Sequence, residues 1–319
     1  MNAAVLHAFG KTPRFEPFPE PSAAKDEVIV QVRAAALKPV DKQIASGAHY
    51  ASPRKLPVAC GIDGVGRLED GARVYFAGSR SPYGAMAEHT VVSRQRCFPL
   101  PEGLDDVTAA AVMNPSVSAW LTLAQRARLV RGETVLILGA TGVTGKLAVQ
   151  IAKLLGAGRV VAAGRNEQVL STLHEFGADA TIRIDKHGQD LKDAFIHEAR
   201  DSGFDVIIDY LWGRPTEGLL AALTRKEFAV VKSEIRLVQV GESAGATISL
   251  PAAALRSAPI TIMGTAGIPS PEILMDAFQQ VMTRAAGGEL RIDVEQIPLA
   301  EVESAWQREG RGRRLVFIP

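Results

Sequence analysis

The chain has 319 residues, enough for two domains with hydrophobic cores of their own. Hydrophobic residues make up 47% and the formal net charge is +1, values that exclude a disordered chain and give no sign of a nucleic-acid-binding surface. The two cysteines, Cys60 and Cys97, lie far apart, which excludes a disulfide scaffold and points to a reducing compartment.

The opening MNAAVLHAFG lacks a cationic segment followed by an uninterrupted apolar core, and no run of about 18 apolar residues occurs. A cytoplasmic protein without a membrane partner is expected. Short strand-like runs at residues 3–6, 27–35, 73–77 and 87–92 are separated by turns such as PRFEPFPEP and FAGSRSPYG, and the first 115 residues read as mostly β. In EVIVQVRAAAL the apolar residues alternate and then become continuous, as in a strand entering a core. His49 and His89 have no companions at ligand spacing and read as ordinary polar residues.

From residue 116, SVSAWLTLAQRARLVRGE places Val117, Trp120, Leu121 and Ala124 at helical spacing before RGE turns the chain. The stretch VLILGATGVTGKLAVQIAKLLGAGRVVAAG follows, and it organises the molecule. Four apolar residues end at a glycine turn, a helical pattern runs from Lys146 to Leu155, and a second apolar run begins at Val160: a βαβ unit. A pyrophosphate can sit on a helix tip only where backbone N–H groups point outward and no Cβ blocks the approach. Thr141, Gly142, Val143, Thr144 and Gly145 are therefore the candidate diphosphate-binding residues. The second strand ends in Ala163 and Gly164 without a carboxylate, and Arg165, beside Asn166, offers donors suited to a 2′-phosphate. NADP(H) is the expected cofactor; ribose binding by Glu167 is the alternative.

Three further apolar runs, in HEFGADATIRI, FDVIIDYLWG and IRLVQVG, each follow a helical stretch, so the fold class is α/β with a doubly wound parallel sheet. Loops at the carboxyl ends of such strands line the ligand crevice, which brings in Leu211, Trp212, Gly241 and Glu242, with Trp212 also readable as a packing aromatic. PITIMGTAG contains a strand near 260–264. It precedes an amphipathic helix in which Ile273, Leu274, Ala277, Phe278 and Val281 share a face. The basic cluster at residues 308–314 reads as a solvated surface.

In order and spacing, VIVQVRAAALKPVDKQIASG, GIDGVGRLEDGARVYF, YGAMAEHTVV, LPEGLDDVTAAAV, SVSAWLTL, the glycine turn and EVESAWQREGRGRRLVF resemble the medium-chain dehydrogenase/reductase superfamily, and within it the zinc-independent quinone oxidoreductases similar to zeta-crystallin. The resemblance implies a GroES-like β-rich catalytic domain formed by residues 1–115 and 258–319, and a Rossmann NADP(H)-binding domain over 116–257. It implies a homodimer joined at the strand near 260–264. It places Ser118 near the nicotinamide and Tyr50 over the substrate, although Tyr50 could equally cap the fold. It makes Asp41 and Asp63 structural, and a carboxylate at a helix start is already explained by capping. Zinc-dependent members hold their metal with a Cys, a His and a further Cys. The matching places here hold Lys38 and Ile62, no cysteine lies near Met113 and Asn114, and the four-cysteine structural lobe is missing. An ammonium and an aliphatic chain cannot build an N/S site, so no metal is expected.

Without a Lewis acid the plausible acceptor is one that already has somewhere to put electrons. The expected activity is NADPH-dependent hydride transfer to a small molecule, a quinone or another conjugated carbonyl. An enone or enoyl-thioester reductase and a non-catalytic NADPH-binding redox sensor are the alternatives. Lys38 and Tyr50 are the candidate catalytic donors. Lys38 replaces the Asn usual in such enzymes, and pairing with a carboxylate or a cofactor phosphate is its alternative role. Arg313 and Arg314 are also candidates for a cofactor phosphate. Substrate choice is expected to rest on loops 47–57 and 266–271.

Overall fold

The alternation in EVIVQVRAAA becomes the strand Glu27–Ala36, in which buried and exposed side chains alternate as far as Arg33 and the last three alanines are all buried. It pairs antiparallel with Asp63–Arg67, His89–Ser93 and Arg314–Ile318, at the centre of a seven-stranded sheet. A three-stranded sheet of Arg14–Pro17, Asn2–Leu6 and Val58–Ala59 lies in the same unit. Leu6, Val30, Val32, Phe76, Met86, Trp306 and Phe317 share one core, so the end of the chain returns to the beginning. The computed structural model describes residues 1–185, 188–199, 203–224, 234–265, 269–308, 310 and 312–319. The chain divides into two compact units, Met1–Asn114 with Phe278–Pro319, and Pro115–Ala277.

The second unit is built on six parallel strands, Thr134–Leu138 (β1), Arg159–Gly164 (β2), Ala180–Arg183 (β3), Val206–Asp209 (β4), Ile235–Gln239 (β5) and Ile260–Gly264 (β6). Their order is β3-β2-β1-β4-β5-β6, the doubly wound order with its switch point beside β1. Val135 pairs with both Val160 and Val206, and every residue of β1 is buried, as a central strand requires. The helices Val143–Leu154 (α1), Glu167–Thr172 (α2), Gly188–Ala199 (α3) and Gly213–Leu223 (α4) alternate with the strands.

One boundary differs from the sequence reading. β6 pairs with β5 along its whole length, from Ile235 with Ile260 to Gln239 with Gly264. Residues 258–277 therefore stay with the nucleotide-binding sheet, and the chain changes unit inside the helix Pro271–Ala286. The other boundary also falls within a helix. Asp106–Leu121 runs through Pro115 and passes into a π-helical turn at Thr122–Arg126. Proline removes one helical hydrogen bond; complete burial of Ala109 to Met113 offsets that loss. By length and composition Asp106–Arg126 could cross a membrane, but most of it is buried within the protein, as in a core helix.

Candidate functional site

The three glycines after β1 serve three different needs. Gly139 sits at φ +89°, in the left-handed region that glycine enters without penalty. Gly145 lies in the first turn of α1, where a Cβ would come within 2.2 Å of the Gly139 carbonyl oxygen and 2.6 Å of the Ala140 Cα. Gly142 is the N-cap of α1, is exposed and has ordinary dihedrals, and a Cβ there would meet only the Gly139 oxygen at 3.4 Å. No side chain caps the helix, so its first amides are left without a side-chain acceptor at the positive end of the helix dipole. Thr141, Val143 and Thr144 flank this tip. A Cβ on Gly164 would strike the Thr141 side chain at 2.4 Å, so the end of β2 lies directly against the turn. This cradle fits the diphosphate of a dinucleotide.

Beyond β2, Arg165 is exposed, while the Asn166 Oδ1 accepts a hydrogen bond from the Val169 amide at 3.1 Å and caps α2. Glu167 pairs with Arg183 at 2.8 Å. Arg183 also contacts Asp185, and these two carboxylates, Asp185 first, raise its pKa. Glu167 is thus partnered within the protein, which counts against its serving a ribose. A cavity of about 650 Å³ opens at the carboxyl edge of the sheet, lined by Arg165, Lys192, Arg214, Glu217 and Ser243 among others. Lys192 on α3 and Arg214 on α4 carry no motif; only the winding of the sheet brings them beside Arg165.

The loop after β4 is organised by Asp209, a residue that sequence reasoning missed. It is fully buried. Its Oδ1 accepts from the Leu211 and Trp212 amides at 2.8 and 2.9 Å, and its Oδ2 from the Thr216 hydroxyl at 2.6 Å. Burial pushes its pKa up, against the pull of these three hydrogen bonds. They hold Trp212 at φ 55° and ψ −163°, a conformation otherwise left to glycine and worth on the order of 1–3 kcal/mol of strain. The Gly241 amide donates to the Asp209 carbonyl at 3.1 Å, and the Ala244 amide to the Leu211 carbonyl at 2.8 Å, so backbone hydrogen bonds tie the segment after β5 to the loop after β4. Trp212 packs on the hydrophobic core of the unit. The available signal is an aspartate ending an apolar run, with a threonine in the first turns of the next helix.

In the first unit Lys38 turns inward. It is 2% exposed, and its Nζ lies 2.8 Å from the Ala36 carbonyl, 3.1 Å from Asp63 Oδ1 and 3.2 Å from Asp41 Oδ2. An ammonium has three N–H groups, and three protein oxygens surround this one. Reading Lys38 as the donor to a reacting oxyanion therefore gives way to its alternative, pairing with carboxylates. Asp41 accepts the Lys38 amide at 2.8 Å and the Ile62 amide at 3.2 Å, the capping role expected at the start of Pro39–Ser46. Asp63 is buried, with its Oδ2 unpartnered, and burial raises its pKa more than the Lys38 charge lowers it. Arg314 is buried as well, donates from Nη1 to the Leu37 carbonyl at 3.0 Å, and is brought down to about 10 by burial. It belongs to this core and not to a cofactor phosphate; Arg313 is exposed. Burial, then the Asp41 charge, pushes the Cys60 thiol up, away from nucleophilic use.

Tyr50 is 97% exposed, with its ring 4.0 Å from that of His49. Ser118 is half-buried on Asp106–Leu121, one helical turn beyond Asn114. Of the two loops expected to set substrate choice, residues 266–268 lie outside the described residues. Among the described residues no group of three or more His, Cys, Asp or Glu side chains is arranged to hold a metal ion.

Residues 143–282 match the zinc-binding dehydrogenase family model, a match that starts at the tip of α1 and leaves out Lys38, Asp41 and Asp63. A probable NADPH-dependent quinone reductase of Emericella nidulans is 26% identical, with both chains covered in full. The quinone oxidoreductase of Sus scrofa is 31% identical over 202 residues, 60% of this chain and 59% of the relative. The quinone oxidoreductase of Thermus thermophilus, solved also as its NADPH complex, superposes with a TM-score of 0.81 at 29% identity over the full length of both chains. The chain belongs to the medium-chain dehydrogenase/reductase superfamily, in its zeta-crystallin-like quinone oxidoreductase branch.

Proposed function

We propose that this protein is a zinc-independent, NADPH-dependent oxidoreductase that transfers hydride to a quinone or another conjugated carbonyl. The observation that carries the reading is the bare tip of α1, where Gly142 is exposed and no side chain caps the first amides. The amides of Val143 to Gly145 would hold the diphosphate, and Arg165, with Lys192 and Arg214 across the cavity, would neutralise the 2′-phosphate. Bound NADPH supplies the hydride. A conjugated acceptor takes the electron pair into its own π system, which leaves the protein to orient the acceptor and to place a donor at the developing oxyanion. Ser118 is assigned to the nicotinamide end, and Tyr50, exposed on its loop, to the acceptor. Zinc has no part in the proposal because Lys38 and Ile62 offer no lone pair to a metal.

The proposal extends to a cytoplasmic homodimer paired through β6, which has β5 on one side and no further strand among the described residues on the other. Light scattering on the purified protein tests the dimer. The activity is tested by NADPH oxidation with a simple benzoquinone and with a 2-alkenal, each repeated with NADH. Turnover preferring NADPH by about tenfold or more is expected from the added phosphate contacts. Tight NADPH binding without reduction of either acceptor would point to the sensor alternative, and failure to bind NADPH would end the reading.

A further inference from the structure

The chain holds a carboxylate where an NAD site would use one. Glu167 opens α2 about 20 residues beyond the glycine turn, the spacing at which a doubly wound fold offers an acidic side chain to the ribose 2′-hydroxyl. A carboxylate there accepts hydrogen bonds from the ribose diol of NADH and repels the 2′-phosphate of NADPH. It also stands two residues from Arg165, which lines the cavity. Unless it is turned aside, it works against the cations of that site.

What turns it aside is Arg183, the last residue of β3. The pairing of β3 with β2 sets Arg183 beside Gly164, at the strand end from which the chain enters α2. Arg183 Nη1 donates to Glu167 Oε2 at 2.8 Å. The rest of its fork is anchored on Asp185, with Nε donating to Oδ1 at 3.2 Å and Nη2 to Oδ2. A planar guanidinium can hold two carboxylates in fixed directions, which a point charge on a flexible stem cannot. The flanking residues show which way it faces. Ile182 and Ile184 pack in the core with Leu191 and Leu219, and Ile184 lines the cavity. Side chains alternate along an extended chain, so Arg183 projects from the opposite face and draws Glu167 toward it.

We infer that Arg183 is a specificity-determining residue that acts through Glu167: by holding this carboxylate on the far face of the sheet, it withholds an acceptor from a ribose diol and removes a repulsion from a 2′-phosphate. The inference rests on the reading of the cavity as the 2′-phosphate site. Both side chains are partly exposed, 42% for Arg183 and 72% for Glu167, so the pairing biases the carboxylate by a factor of about two to five.

The test is binding, measured by calorimetry on the full chain. Arg183→Gln keeps a polar side chain and removes the charge; it is expected to tighten NADH about two- to fivefold and to weaken NADPH by about as much. The same change made in Glu167→Gln should leave NADH affinity where it was, because no carboxylate remains to be released. Glu167→Gln alone should also leave NADH unchanged, since the wild-type carboxylate is held elsewhere. An unchanged NADH affinity in Arg183→Gln would overturn the inference, as would an equal gain with and without Glu167. So would a loss of NADH affinity in Glu167→Gln, which would show the carboxylate already serving the ribose. An NADPH loss of one size in both backgrounds would make Arg183 a direct partner of the phosphate and would overturn it too. Wild-type protein that binds NADH as tightly as NADPH would sink the 2′-phosphate reading instead, with Glu167→Gln still deciding whether the carboxylate is withheld.

Discussion

The two units hold their polar chemistry in opposite ways. In the nucleotide-binding unit the ligand-facing surface is made by omission: Gly142 and Gly145 lack side chains, and the unsatisfied groups are backbone amides at a helix tip. In the first unit the polar groups are side chains sealed from water, and Lys38 is paired with both Asp41 and Asp63. The first arrangement costs little and waits for a partner from outside. The second has its counter-charges built in, so its worth must lie in what it holds in place.

This contrast is broken most sharply by removing one member of the closed cluster. Lys38→Ala leaves Asp41 and Asp63 buried without their shared cation, and is expected to cost about 3–5 kcal/mol in urea unfolding. A loss below about 1 kcal/mol would mean that water already reaches the cluster. Next in size is Gly145→Ala. Its Cβ would meet backbone at 2.2 Å, for about 1–3 kcal/mol, while the better helix propensity of alanine returns only about 1 kcal/mol. Gly142→Ala, whose Cβ would meet only the Gly139 oxygen at an ordinary 3.4 Å contact, should leave the melting temperature unchanged and still weaken NADPH binding, measured by calorimetry. Smaller again are Arg165→Ala and Arg214→Ala, each expected to weaken NADPH about tenfold and leave NADH untouched. Equal losses for both nucleotides would move these arginines away from the 2′-phosphate.

How much of this is legible in the sequence follows from how local each feature is. The strands of the sheet and the glycine turn are read directly, because an apolar run and the turn after it lie within one short stretch, and β1 and α1 stand where the pattern places them. Lys192 and Arg214 escape notice because nothing near them in sequence differs from an ordinary helix surface; the β3-β2-β1-β4 order makes them neighbours. Arg314 reads as part of a basic surface cluster, since its burial comes from the strand pairing of Val316 with Ala36 and Phe317 with Ala35, far away along the chain. Lys38 is visible as a departure from its relatives, but its direction is not. That direction depends on Asp63, which is brought alongside by the pairing of Asp63–Arg67 with Glu27–Ala36. β6 reads into the wrong domain because a strand reveals its existence in its own residues and its membership only in its neighbour's.

The smallest expected effect sharpens the comparison between two buried aspartates, one beside a cation and one held only by neutral donors. Asp209 has its pKa raised by burial, opposed only by the Thr216, Trp212 and Leu211 hydrogen bonds. A carboxyl that binds its proton more tightly when folded stabilises the protein most at acid pH, and that contribution is lost as pH rises from the unfolded value of about 3.9 through the higher folded value. Asp209→Asn keeps the shape, can accept the two amides through its oxygen, and can donate to the Thr216 hydroxyl. Its stability relative to wild type should therefore improve as pH rises from about 4 toward neutrality. Urea melts at a series of pH values would show this as a difference in slope. A constant offset between the two proteins would mean that Asp209 titrates alike folded and unfolded, and that the amides of its loop compensate fully for the water it has lost.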